Sequence, residues 1–335
     1  MKCFAVYVED QLCIVSGVQP DSSIVVIAYQ EQARIGRCLA ALSAQENAGR
    51  FEVIVIDDGS TDATALISDE WSARDARIRR ISLPKNMGRG EARRTGVAAA
   101  KGGHIGFVDA DCTVPSTWLE QVTGALGQAD LTGGSALPDG DIAAVARLSR
   151  ATLRPKSGSI GVTGNNMMMR ASVLDHVDFP TGRLGEDFRF VKRAEAAGFT
   201  QAVIDGLFVD HDETKTYKQS CRWLFESGVD ATSLLREFGD WRLPDIAWML
   251  WLSTALIGVP LGFVNALFAI VPVLAVTVSI ASALTLQRFK LTPVLRFIYA
   301  AVLNTPLVGL YLLGRTAGVG VLTTRRLGCN KNMPS

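Results

Sequence analysis

His104-Ile105-Gly106-Phe107-Val108-Asp109-Ala110-Asp111 is an apolar run of strand length that ends in two carboxylates. Side chains of an extended segment alternate between two faces, so Asp109 and Asp111 point to the same side. Two such acids can divide one ligand between them. The first can hold a hydroxyl while the second takes a divalent cation, whose remaining positions suit the oxygens of a nucleoside diphosphate. Taken alone, Asp-x-Asp describes a polar turn after a strand equally well, so the surrounding chain decides.

Toward the N-terminus the same signal recurs. Ser23-Ile24-Val25-Val26-Ile27-Ala28 is a continuous apolar run, followed by Tyr29-Gln30-Glu31 and a helical pattern through Leu39, Leu42 and Ala44. Phe51 to Ile56 repeats it and runs into Asp57-Asp58-Gly59-Ser60-Thr61-Asp62, where Gly59 permits a tight turn and Ser60, Thr61 or Asp62 can cap the next helix. A third strand, Ile78 to Leu83, leads through Pro84-Lys85-Asn86-Met87-Gly88 into a helix from about Gly90 to Ala100. This alternation predicts an α/β fold with a mostly parallel central sheet covered on both faces. Ligands of such sheets bind beyond the carboxyl ends of the strands. Glu31, Asp57 with Asp58, and Asp109 with Asp111 all fall at those ends. One nucleotide and its metal account for them together.

Toward the C-terminus, Ile160 to Arg170 reads as a strand interrupted by Gly164-Asn165-Asn166, and Met167-Met168-Met169 reads as core packing. Glu186-Asp187 opens a helix, Phe188 to Ala197, that Gly198 ends. Acids in a first turn also complement the helix dipole, which is the plainer use of both. A strand from Ala202 to Val209 ends in Asp210-His211-Asp212, and Tyr217 to Phe238 is an amphipathic helix carrying Gln219-Ser220-Cys221-Arg222-Trp223.

The chain has 335 residues, of which 48% are hydrophobic, enough to suggest a membrane part. No charged residue or histidine lies between Ile246 and Gln287, a run of roughly 40 residues that suffices for two helical spans of about 20 each. Spans are expected at about 246–265 and 266–286, with an interfacial or third membrane segment at about 297–322 that Asn304-Thr305-Pro306 and Arg315 interrupt. Arg288, Lys290 and Arg296 then return to the cytoplasm, in keeping with the positive-inside tendency. A buried soluble hairpin is the alternative. The net charge of +1 and the lack of a basic patch argue against a nucleic-acid partner. Six cysteines without a Cys-x-x-Cys pair point to a reducing compartment, not to a disulfide framework. Residues 1–20 are an N-terminal extension in which Glu9 and Asp10 interrupt the apolar character, and no signal peptide is expected.

With these elements in order, the chain resembles the family 2 glycosyltransferases, inverting enzymes of the GT-A fold. The likeness covers roughly residues 21–230. It rests on Val55-Ile56-Asp57-Asp58-Gly59-Ser60-Thr61-Asp62, Asn86-Met87-Gly88 followed by Ala92-Arg93, Phe107-Val108-Asp109-Ala110-Asp111, Gly185-Glu186-Asp187 and His211. The resemblance implies a nucleotide-diphosphate sugar donor, with Asp57 against the base, Asp109 against the ribose and diphosphate, Asp111 on Mn2+ or Mg2+, and Asp187 as general base. Tyr29, Glu31, Asp58 and Arg93 complete the candidate donor contacts, and His211 joins Asp111 as a candidate metal ligand. Asn165, Glu186, Arg222 and Trp223 are the candidate contacts for a lipid-linked or growing glycan acceptor. For Arg93 a solvated helix face, and for His211 a polar loop, are the plainer alternatives.

Gln219-x-x-Arg222-Trp223 resembles the signature of processive members such as cellulose, chitin and hyaluronan synthases, where an indole can stack a sugar. A Trp beside a membrane also serves as an interface anchor. Two spans are few for enclosing a polysaccharide, so a single addition is expected, with a small processive synthase as the alternative. A non-catalytic membrane-bound nucleotide-sugar binding protein is disfavoured because Asp109, Asp111 and Asp187 are all present. Two positions depart from the family pattern: Cys112 stands where many members carry another acid, and Arg94 where Asn is common. The first is expected to leave metal binding intact. The second can reshape the donor pocket. The expected organisation is a catalytic domain over 21–238 on the cytoplasmic side of the plasma membrane and a multi-pass membrane region over 239–335.

Overall fold

A computed structural model of the chain describes residues 4–8, 11–15, 19–139, 162–181, 185–212, 217–239, 241, 243–262, 270, 273–278, 306 and 308–319. The chain divides into two compact units, Met1–Leu137 with Ile160–His211, and Pro138–Ser159 with Asp212–Ser335.

The first unit begins with a hairpin that the N-terminal reading did not foresee, β1 (Phe4–Val8) antiparallel to β2 (Gln11–Val15). The main sheet is founded on β3 (Ser22–Ala28), β4 (Phe51–Asp57), β5 (Ile78–Ser82) and β6 (His104–Asp109), where β3 pairs in parallel with β4 and β6, and β4 with β5. Their runs are apolar throughout because both faces are covered. Ile24, Val26, Val53 and Val55 pack against Ile35, Leu39 and Leu42 of α1 (Ile35–Ser43), with Ile67 and Trp71 of α2 (Thr64–Arg74) beside them. On the other face, Val25, Ile27, Ile54 and Ile56 pack with Ala92 of α3 (Arg89–Ala99).

Beyond β6 the sheet changes character. After β7 (Cys112–Thr113) and α4 (Trp118–Ala125) come β8 (Leu131–Asp139) and β9 (Met167–Arg170), and β9 runs antiparallel to both β6 and β8. A 3-10 turn (Ala171–Asp175) leads on to α5 (Glu186–Ala196) and β10 (Gln201–Asp212), which pairs antiparallel with β7. The eight strands therefore lie in the order β5-β4-β3-β6-β9-β8-β10-β7, and the sheet is mixed where a mostly parallel one was expected. Of the expected strand over Ile160 to Arg170, Met167–Arg170 forms β9, whose three methionine side chains are fully buried, while Ile160 and Gly161 lie outside the described residues. Phe190, Val191 and Ala194 of α5 join the same core as Ala92. Phe190 stacks on Phe179 at 4.0 Å, which in turn meets Phe107 of β6 at 4.9 Å. That stack fixes the start of α5 beside the end of β6.

The second unit contains, among the described residues, α6 (Tyr217–Phe238), α7 (Leu243–Gly262) and helical residues 273–278 and 308–319. Helix α6 lies close against 308–319. A Cβ on Gly228 would come within 2.2 Å of the Tyr311 carbonyl oxygen, one on Gly314 within 2.1 Å of that of Phe225, and the Thr232 hydroxyl donates to the Arg315 carbonyl at 2.8 Å. Arg315, read in the sequence as an interruption, sits inside this helix because Asp245 of α7 pairs with it, both side chains being fully buried.

Among the described residues no helix is long and apolar enough to cross a membrane, which withdraws support from the expected spans. The first expected span falls on α7. One face of that helix is packed, with Trp248 and Trp251 against Val308 and Leu312 and their indole N–H groups donating to Thr316 and Thr277, while Ile246, Met249, Leu250 and Leu256 are exposed. Most of the second span and half of the segment at 297–322 lie outside the described residues.

Candidate active site

The register of the parallel strands sets the site. Ala28 pairs with Asp57, and Ile27 with Asp109, so the ends of β3, β4 and β6 coincide. Gln30, at φ 58°, accepts from the Thr61 and Asp62 N–H groups at 2.9 and 3.2 Å, and the Glu31 N–H donates to the Thr64 hydroxyl at 2.8 Å. The loops after β3 and β4 are thus laced into one wall. Asp62 accepts from the Thr64 N–H at 3.0 Å just before α2, whose N-cap position falls on Ala63 and not on one of the three expected candidates. Tyr29 is exposed on this wall. Glu31 is half-buried and paired with Arg34 at 2.5 Å; burial and the charge of Asp111 push its carboxyl up to about 7.

Asp57 is buried and accepts from the Ser60 N–H at 3.0 Å, with Arg80 3.9 Å away. Asp58 differs from its expected use. Its two oxygens accept from the N–H groups of Met87 and Gly88, at 2.6 and 2.9 Å, so it shapes the loop entering α3. Gly59 lets the two loops touch: its φ is +72°, and a Cβ there would lie 2.6 Å from the Lys85 backbone.

Arg93 also departs from both of its expected readings. It is 1% exposed, and its guanidinium is engaged by Glu186, by Asp109 at 3.0 Å and by the Gly164 carbonyl at 3.1 Å. It is therefore an internal brace, neither open to a diphosphate nor on a solvated face. Burial raises the carboxyls of Asp109 and Glu186 against the pull of this cation. Asp187, the next residue, is treated differently. Burial works against its charge, but Arg93 and the N–H groups of Gly164 and Phe188, at 2.9 and 2.8 Å, outweigh it and hold the carboxyl below the usual range. Gly164 makes this crowding feasible, since a Cβ there would sit 2.5 Å from Arg93 Nη2 and 2.9 Å from Asp187 Cβ.

Asp111 lies across from His211, with Nε2 of the imidazole 3.1 Å from Oδ2 of the carboxylate. The antiparallel pairing of β7 with β10 delivers the histidine there. Together with the Cys112 thiol, these groups place three potential ligand atoms within 4.8 Å of one another. Carboxylate, imidazole and thiol are all donors that first-row divalent cations accept, so the residues fit the expected metal.

Of the acceptor candidates, Glu186 is bonded to Arg93, and Asn165, next to Gly164 in sequence, is buried and accepts from the Thr163 hydroxyl at 2.8 Å. Arg222 and Trp223 belong to the second unit, on α6, where Arg222 is exposed and paired with Glu226 at 2.8 Å. Arg89 escaped the sequence reading. It opens α3, its side chain is exposed, and although desolvation opposes its charge, the combined field of Asp109, Glu186, Asp111 and Asp187 raises its pKa. A cation in the first helical turn opposes the dipole, and that was the available signal.

Residues 23–177 match the family Glycosyl transferase family 2. Glycosyltransferase AglE of Haloferax volcanii is 29% identical over 192 residues, covering 54% of this chain and 63% of that protein. The succinoglycan biosynthesis protein ExoO of Rhizobium meliloti is 38% identical over 121 residues, covering 36% of this chain and 33% of that protein. The chain thus matches less than two thirds of the length of either relative. Among solved structures, the mannosyltransferase PcManGT of Pyrobaculum calidifontis in complex with GDP-Man and Mn2+ superposes with a TM-score of 0.59 at 17% identity, covering 89% of this chain and 86% of that one. At that identity the likeness is one of fold.

Proposed function

We propose that the protein, whose residues 23–177 match the family Glycosyl transferase family 2, is an inverting transferase that moves a sugar from a nucleotide-diphosphate donor to a lipid-linked or growing glycan at the cytoplasmic face of a membrane. The observation that carries this reading is the approach of Asp111 and His211 to 3.1 Å at the end of β6, beside Asp109. Asp111 and His211 would hold a divalent cation, Mn2+ or Mg2+, which when bound would offset charge on the departing nucleoside diphosphate. Asp57 takes the base of the donor, and Asp109, its orientation fixed by Arg93, takes the ribose. Asp187 is held ionised, and each of its oxygens keeps a lone pair beyond the one given to a backbone N–H, so it can accept the proton of an attacking hydroxyl. Attack from that side, opposite the leaving group, inverts the anomeric centre.

For the membrane the support is the uncharged run from Ile246 to Gln287 and the exposed apolar face of α7, formed by Ile246, Met249, Leu250 and Leu256. An amphipathic contact of that kind needs no full span. Incubating the full chain with a panel of radiolabelled nucleotide sugars, Mn2+ and polyprenyl-phosphate or diphosphate-sugar acceptors tests the proposal. One donor is expected to label one acceptor class, with activity lost in EDTA and in Asp111→Ala. Absence of donor binding across the panel at saturating metal would overturn it.

A further inference from the structure

The register of β7 against β10 sets Cys112 directly opposite His211, and residues opposed across an antiparallel pair project from the same face of a sheet. Asp111, the residue before β7, reaches both: its Oδ2 lies 3.1 Å from His211 Nε2 and its Oδ1 3.7 Å from Cys112 Sγ. Ligands held at about 2.0–2.3 Å by a tetrahedral cation stand about 3.3–3.8 Å apart. The Asp111–His211 separation falls just short of that spacing, the Asp111–Cys112 separation lies within it, and all three ligand atoms lie within 4.8 Å of one another.

We propose that Cys112 is a third protein ligand of the divalent cation, and that the resulting carboxylate, thiolate and imidazole set binds Zn2+ or Co2+ more tightly than Mn2+ or Mg2+, any of which it can hold. The proposal deepens the reading given above and rests on it for the cation's place in the donor site. Its basis is donor chemistry. Carboxylate and imidazole accept Mn2+ readily, whereas a thiolate adds little for hard Mg2+ and much for the later, softer ions of the row. On binding, the thiol proton passes to solvent and a sulfur lone pair forms the bond to the metal, so no oxidant or reductant enters. Packing is the competing use of the residue: Cys112 is 1% exposed among Val114, Trp118 and Leu119, where a thiol serves as a small apolar group. Packing alone yields no bond between sulfur and metal.

The test is a Co2+ titration of the full-length, metal-free protein, with and without UDP or GDP, followed by absorption. Bound Co2+ should show a near-ultraviolet thiolate charge-transfer band in the wild type and in Cys38→Ser, whose buried thiol lies near the Asp109 carbonyl, but not in Cys112→Ser. Cys112→Ser should weaken Zn2+ and Co2+ binding about 10–100-fold and Mn2+ binding less than about threefold. Circular dichroism confirms that the variant is folded, and the wild-type spectrum decides the matter even where it is not. Visible bands of bound Co2+ without the near-ultraviolet band in the wild type overturn Cys112 as a ligand and leave the Asp111–His211 reading standing. Failure to bind either Co2+ or Mn2+ with both nucleoside diphosphates overturns the two together.

Discussion

Arg93 and Glu186, 93 residues apart in the chain, are bonded to one another inside the first unit, and each side chain is only 2% exposed. The same guanidinium holds Asp109 at 3.0 Å. A cation on α3 thereby ties the end of β6, where the donor is expected, to the start of α5, where the base is expected. Buried pairs contribute little as pairs, but removing one partner strands a charge.

Arg93→Ala is therefore expected to cost about 3–5 kcal/mol of unfolding free energy, and Arg93→Lys to lose much of the same because an ammonium cannot reproduce the fork that bonds Asp109, Glu186 and the Gly164 carbonyl at once. Urea unfolding of both variants measures this. A phosphate contact would behave otherwise, with Arg93→Lys raising the donor KM at unchanged stability, and that result would return Arg93 to the donor pocket.

Gly59→Ala should disturb the donor side without touching any proposed catalytic group. The φ of +72° costs an L-residue about 1–2 kcal/mol, and the added Cβ would fall 2.6 Å from the Lys85 backbone, immediately before the loop that Asp58 organises. A loss of more than about 2 kcal/mol of stability and a donor KM raised about tenfold are expected. Parallel melting and donor-binding measurements check both, and a wild-type donor KM would separate this loop from the donor.

Much of this was legible before the structure. The strands β3, β4 and β6 announced themselves because sheets covered on both faces need unbroken apolar runs, and Asp57, Asp109 and Asp111 followed as their terminal acids. The antiparallel half was not legible. Strand β8 had no reading from the sequence; it carries Gly133-Gly134, and a Cβ on either would fall 2.1 Å from a neighbouring carbonyl, of Asn166 and Leu207 respectively. Close backbone approach, not flexibility, is what those glycines provide. Strand β7 is two residues long, too short for any period, and the facing of Cys112 toward His211 exists only through its pairing. The internal role of Arg93 was equally hidden, since a lone arginine on a polar helix has no pattern that marks it as buried.

A pH dependence is expected from Glu31. Its carboxyl is raised from the usual 4.5 to about 7, by burial first and then by Asp111, so between those values the folded chain keeps a proton that the unfolded chain has released. The stabilisation is complete below the unfolded value and is lost as pH climbs through the folded one. A shift of this size corresponds to about 3 kcal/mol. In EDTA, urea midpoints of the wild type should fall between pH 5 and pH 8 more steeply than those of Glu31→Gln, which stays neutral throughout. Equal slopes would mean that Glu31 is ionised in the folded chain across the whole interval.

Asp187 offers the sharpest separation between chemistry and architecture. As a helix-start acid it would tolerate an amide at a cost of a few tenths to about 1 kcal/mol, but here both oxygens accept backbone N–H groups, from Gly164 at 2.9 Å and Phe188 at 2.8 Å. In Asp187→Asn one of those N–H groups must face an NH2, so about 1–3 kcal/mol of stability should be lost even if the residue has no part in the reaction. Stability therefore cannot identify the base, and rate can. As the general base, Asp187→Asn should lower kcat by about 10²–10⁴ at saturating donor and acceptor, with donor affinity little changed, because the amide cannot take the acceptor's proton. The low pKa adds a second signature: the wild-type rate should hold its plateau to lower pH than an ordinary carboxylate allows, limited on the acid side by other groups. A fall in kcat below about fivefold in a variant shown to be folded would remove Asp187 from the reaction. Glu186, buried against Arg93 with its carboxyl raised, would then be the base to examine.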